Sequence, residues 1–68
     1  MMQIFINGKA QTLADNIQNM ADLVVQLGLV GKRIAVEQNG EIVPRSLYAQ
    51  TKVQEGDKLE IVGAVGGG

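Results

Sequence analysis

Residues 19–28 read NMADLVVQLG, the one stretch whose apolar residues recur at helical spacing. Met20, Leu23, Val24 and Leu27 lie at i, i+3, i+4 and i+7, which gathers them along one side of a helix. Asn19 is a suitable N-cap, and Asp22 places a negative charge at the positive helix end. Gly28 supplies a residue that enters the left-handed conformation and closes the helix. On either side of this segment the pattern changes from helical spacing to alternation.

Upstream, MQIFING alternates as a half-buried strand does, with Met2, Ile4 and Ile6 on one face and Gln3, Phe5 and Asn7 on the other. Asn7-Gly8 is a strong hairpin signal, because both residues tolerate the positive φ of a type I′ turn. KAQTL then returns as a second strand. Downstream, RIAVEQ alternates with Ile34 and Val36 inward, and Asn39-Gly40 turns it into the short strand EIV. Pro44 stops that strand, since proline cannot donate to a ladder. RSLYAQ suits a single helical turn. VQEGD is a tight turn with Gly56 at positive φ, and KLEIV is the last strand, with Leu59 and Ile61 inward.

A helix with one apolar stripe and a sheet with one apolar face must cover each other. The expected class is α+β: a mixed sheet packed on one helix, the ubiquitin-like β-grasp arrangement, with the first and last strands central and parallel. The expected domain covers residues 1–62, and residues 63–68 form a flexible tail ending in Gly-Gly. The expected core is Ile4, Ile6, Leu23, Leu27, Val36, Leu59 and Ile61.

Composition narrows the function. The 68 residues suit one small domain, which buries only about 60% of its unfolded surface. There is no histidine and no cysteine, so disulfides, the usual zinc ligands and His- or Cys-based catalytic sets are all excluded. Ser46, Thr12, Thr51 and Tyr48 have no evident general base, and read as solvated hydroxyls and a packing tyrosine. Glu55 and Asp57 flank a turn glycine and suit turn chemistry better than a metal site. With no phosphate-cradling loop either, the chain is expected to be neither an enzyme nor a metal binder. Six scattered basic residues, one Phe and one Tyr argue against nucleic-acid binding. No long apolar run suggests a membrane span, and a cytoplasmic monomer is the default expectation.

What remains is the carboxylate of Gly68. Gly66, Gly67 and Gly68 have no side chain whose burial offsets the cost of ordering them, so they are expected to be mobile. Six residues from Gly63 span at most roughly 20 Å, enough to enter a buried active site of another protein. Lacking a Cβ, Gly67 and Gly68 can pass a channel that excludes other residues. Phe5 and Val62 fall on the outer face of the two central strands; either Phe5 packs under a loop there, or the two form a patch beside the tail root that docks a partner.

The chain resembles the small sulfur carrier proteins of thiamine biosynthesis, the ThiS family. The resemblance is carried by IFINGK, MADLVVQLGL, IAVEQNGEIVPR and VQEGDKLEIVGAVGGG, and covers nearly the whole length. A third terminal glycine, Gly66, and the additional methionine at the start depart from the family pattern. The resemblance implies that an E1-like enzyme, using ATP and magnesium, adenylates the Gly68 carboxylate. Sulfur drawn from cysteine by a desulfurase then displaces AMP, and thiazole synthase takes the sulfur from the resulting thiocarboxylate. It implies no cofactor bound by the chain itself. In the IVPR signature Pro44 ends a strand, and Arg45 is expected to pair with an acidic neighbour or to contact a partner.

Two rival readings stand beside this one. A molybdopterin or tRNA-thiolation carrier, or a protein modifier, would keep the chemistry and change the pathway. A passive β-grasp interaction module would make the tail meaningless.

Overall fold

The computed structural model describes residues 1–63. The chain forms β1 (Met2–Ile6), β2 (Lys9–Leu13), α1 (Met20–Gln26), β3 (Ile34–Gln38), β4 (Glu41–Val43), a 3-10 helix (Arg45–Gln50) and β5 (Lys58–Gly63). The strands make one sheet in the order β2-β1-β5-β3-β4. β1 and β5 run parallel, and the other neighbouring pairs are antiparallel. This is the β-grasp arrangement that the spacing predicts, with the first and last strands inside the sheet.

Both hairpins turn as their Asn-Gly pairs require. Asn7 and Gly8 have φ of 52° and 83°, and Asn39 and Gly40 have φ of 52° and 89°. α1 is only seven residues long, too short to persist alone in water, so capping and packing must hold it. The Asn19 side chain accepts the Asp22 N–H at 2.8 Å, and Asp22 Oδ2 accepts the N–H groups of Asn19 at 3.4 Å and Gln18 at 3.0 Å. Asp22 is therefore half of a capping box as well as a charge at the helix end. At the other end Gly28 takes φ 72°. The Gly28 N–H donates to Val25 and the Leu29 N–H to Val24, both at 3.0 Å, which closes a Schellman motif.

The core lies between α1 and one face of the sheet. Ile4, Met20 and Leu23 have no exposed surface, and Ile6, Val24, Val36, Leu59 and Ile61 are buried around them. Leu27 departs from the expectation. It is the C-cap of α1, one residue past the helix, and is only partly buried. Leu13, Ile17, Val43, Tyr48 and Val53 complete the core, three of them from outside strands and α1. RSLYAQ forms six residues of 3-10 helix, about two turns where one is expected. Beyond it, the Val53 N–H donates to Gln18 and the Met20 N–H to Thr51, so this segment closes over the start of α1.

β5 is held from both sides. On one side β3 pairs with it from Leu59 to Gly63. On the other, β1 reaches only as far as Leu59, because the chain turns away at Asn7. The Asn7 carboxamide continues the ladder: Ile61 N–H donates to Asn7 Oδ1 at 2.8 Å, and Asn7 Nδ2 donates to the Ile61 carbonyl at 3.0 Å. Asn39 does the same at the start of the strand, its Oδ1 accepting the Lys58 N–H at 2.9 Å. Ahead of β5 the buried Asp57 carboxylate accepts from the Gln54 backbone and from the side chains of Gln38 and Asn39. The Glu55–Asp57 turn thus does structural work, as its spacing around Gly56 suggests.

Truncating a fully buried leucine costs about 2–5 kcal/mol, a large share of the stability of so small a domain. Leu23→Ala should therefore unfold far below the wild-type denaturant midpoint. Chemical unfolding followed by circular dichroism checks this, and an unchanged midpoint means that Leu23 does not face the sheet.

Candidate functional site

The residues expected to carry the chemistry, Gly66, Gly67 and Gly68, lie outside the described residues. Their root is described. β5 takes in Gly63, the residue expected to begin the tail, and pairs it with Ile34 of β3. One step back, Val62 pairs with Ala35. Because side chains alternate across a strand, these two rows face opposite ways. Val62 and Ala35 look out from the open sheet face, while Ile34 looks toward the helix side and packs against the core.

The open face carries both expected docking residues. Phe5 is half-buried in a shallow depression of about 310 Å³ shared with Gly8, Lys58, Leu59 and Glu60. Val62 is 55% exposed. They are not, however, one patch beside the root. Phe5 pairs with Lys58, four residues before Val62, which is roughly 13 Å of strand. Glu60 stands between them on the same face. Alternation assigns a residue to a face, whereas its position along the sheet depends on register.

The apolar group nearest the root includes residues that the sequence reading leaves out. Ile42 is 65% exposed and pairs with Glu37, diagonal to Ala35, whose partner on β5 is Val62. The signal was present in EIV: with Val43 inward, Ile42 must point outward. At the centre of the face, Glu37 and Glu60 stand directly opposite each other across β3 and β5. Like charges in that relation are mildly destabilising, so the fold alone gives no reason for the pair.

Nothing among the described residues assembles a catalytic set. No group of three or more His, Cys, Asp or Glu there is placed to hold a metal ion. Tyr48 is buried in the core, and the Thr51 hydroxyl donates to the Leu47 carbonyl at 2.6 Å. Of the two roles expected of Arg45, pairing with an acidic side chain is not found among the described residues; its Nη2 donates to the Lys32 carbonyl at 3.1 Å. No helix among the described residues is long and apolar enough to cross a membrane.

The ThiS family model matches residues 4–68. A thiazole synthase of Paramagnetospirillum magneticum is 46% identical over 67 residues, which are 98% of this chain and 20% of that protein. The sulfur carrier protein ThiS of Bacillus subtilis is 33% identical over 63 residues, 93% of this chain and 96% of its own length. The crystal structure of the thiamine biosynthesis protein ThiS from Geobacter metallireducens matches with a TM-score of 0.84 at 32% identity, covering 98% of this chain and 100% of that one. The chain spans about a fifth of the length of the thiazole synthase and nearly all of the two ThiS proteins. With the family match running to the last glycine, the chain belongs to the ThiS family.

Proposed function

We propose that this protein is a non-catalytic sulfur carrier of thiamine biosynthesis that works through the carboxylate of Gly68. One observation carries the reading: β5, inside the sheet and paired as far as Gly63, ends where a five-residue segment closing on three glycines begins. A rigid root followed by residues with almost no side chains suits presentation of a terminus to another protein's active site. The lack of histidine and cysteine leaves the chain few groups for chemistry of its own.

A carboxylate is a poor electrophile, so it needs a better leaving group before sulfur can attack. An E1-like partner, with ATP and magnesium, supplies it: a Gly68 oxygen attacks the α-phosphorus, pyrophosphate leaves, and an acyl-adenylate results. A desulfurase draws sulfur from cysteine as a protein-bound persulfide; its terminal sulfur attacks the acyl carbon, AMP leaves, and a thiol-class reductant cleaves the resulting acyl disulfide to free the thiocarboxylate. Thiazole synthase takes that sulfur into the thiazole ring. Likeness to a thiazole synthase and to a sulfur carrier supports this pairing. The partners provide the nucleotide site and the electrostatics, and the carrier provides reach and position. A soluble cytoplasmic setting agrees with partners of this kind.

Incubation with the activating enzyme, ATP, magnesium and a sulfur source should raise the intact mass by one oxygen-for-sulfur exchange. Deleting Gly67 and Gly68 should abolish that change while leaving the melting temperature where it was. An unchanged mass in the full chain favours a passive interaction module, and a large fall in melting temperature on deletion makes the tail structural.

The open sheet face is the surface proposed to hold the carrier while the tail reacts, with Phe5 as its aromatic anchor. Phe5→Ala should weaken binding to the activating enzyme by about 1–2 kcal/mol, with the monomer still folded. Titration calorimetry reads the difference, and equal affinity moves the grip to the Val62–Ile42 end of the face.

A further inference from the structure

A second surface lies on the opposite side of the sheet. Between the end of α1, the loop after it and the 3-10 helix runs a groove of about 340 Å³. Its apolar walls come from Val24, Val25, Val30, Ile34, Tyr48 and Ala49. Val25 and Val30 are each 64% exposed, although both stand beside the core. The groove is at the small end of the range for ligand pockets, which suits one or two inserted side chains.

Its charge is one-sided. Lys32 and Arg45 are the charged residues lining it, and no acidic residue lines it among the described residues. The chain as a whole carries seven acidic residues against six basic ones, so this local excess runs against the composition. Arg45 is also held in place, by the bond from Nη2 to the Lys32 carbonyl. A guanidinium has five N–H donors, and fixing one nitrogen orients the rest. Such a preset fork suits a carboxylate better than a mobile ammonium does.

We propose that this groove binds an acidic segment of a partner protein, with one aliphatic or aromatic side chain between Val25, Val30 and Ile34 and carboxylates against Lys32 and Arg45. Ile34 ties the groove to the functional end of the molecule, because it pairs with Gly63 at the tail root. A partner seated here would therefore sit beside the departing tail while leaving the open sheet face uncovered. The assignment does not depend on which sulfur-transfer pathway the carrier serves.

The test titrates the isotopically labelled full chain with two blocked synthetic peptides, followed by amide chemical shifts. Both carry a central Leu-Trp, flanked in one by glutamates and in the other by lysines. The glutamate peptide should shift Val24, Val25, Val30, Ile34 and Ala49 and bind about fivefold tighter than the lysine peptide, as two exposed ion pairs allow. Lys32→Glu combined with Arg45→Glu should erase the preference while leaving the folded spectrum intact. Shifts elsewhere, no shifts, or equal affinity for the two peptides overturn the proposal. So do groove shifts that appear without peptide, either on concentrating the protein, which means a second copy, or on deleting residues 64–68, which means the chain's own tail.

Discussion

β1 turns away at Asn7 while β5 still has residues to pair, and the structure meets this mismatch with a side chain. In a parallel ladder the odd residues of β5 face β1, and the Phe5 and Asn7 N–H groups reach Asp57 and Leu59. Ile61 would be next, but the backbone has already entered the turn. The Asn7 carboxamide has one acceptor and one donor group in the spacing of a peptide unit, and it meets both backbone groups of Ile61. The same residue supplies the positive φ that the turn needs. One asparagine thus ends β1, starts the hairpin and carries β5 on toward its last residues. Without that grip the end of β5 would be paired on the β3 side alone, and the root of the tail would loosen.

The rows at that root also separate the two surfaces of the molecule. Gly63 lies beside Ile34 and Val62 beside Ala35, one row turned to each side of the sheet. Toward the open face the charges include the opposed pair Glu37 and Glu60, with Lys58 beside Phe5. Toward the helix side they include Lys32 and Arg45. The root at Gly63 thus lies between a face of mixed charge and a groove whose charged lining residues are both basic. For a proposed carrier that visits several enzymes, this arrangement allows distinct grips on one small body.

Much of this was legible in the sequence wherever a period or a turn residue fixed it. Asn7-Gly8 and Asn39-Gly40 specified both hairpins, since few other pairs accept positive φ twice. Alternation placed Ile4, Ile6, Leu59 and Ile61 inward, and helical spacing placed Met20, Leu23 and Val24. Tyr48 was legible as a packing residue by its type, but Ile17 and Val53 were not legible as core, because single apolar residues in irregular segments have no period to read. Leu27 followed the helical spacing but fell past the helix end, where the Schellman motif turns the chain. At the candidate site the sequence gives faces and not distances: Phe5 and Val62 do share a face, yet register sets them far apart. The anchoring of Arg45 by a backbone carbonyl could not be read at all, since a carbonyl has no letter in the sequence.

The central claim is that β5 stays rigid nearly to the tail because Asn7 holds it there. Native-state hydrogen exchange at the Ile61 amide tests this most directly, in the wild type and in Asn7→Gly, where glycine keeps the turn and removes the carboxamide. The account predicts that Ile61 in the wild type exchanges as slowly as Val36 in the core, and that the substitution exposes Ile61 while Val36 keeps most of its protection. Rapid exchange of Ile61 in the wild type, or protection that survives loss of the carboxamide, would contradict it.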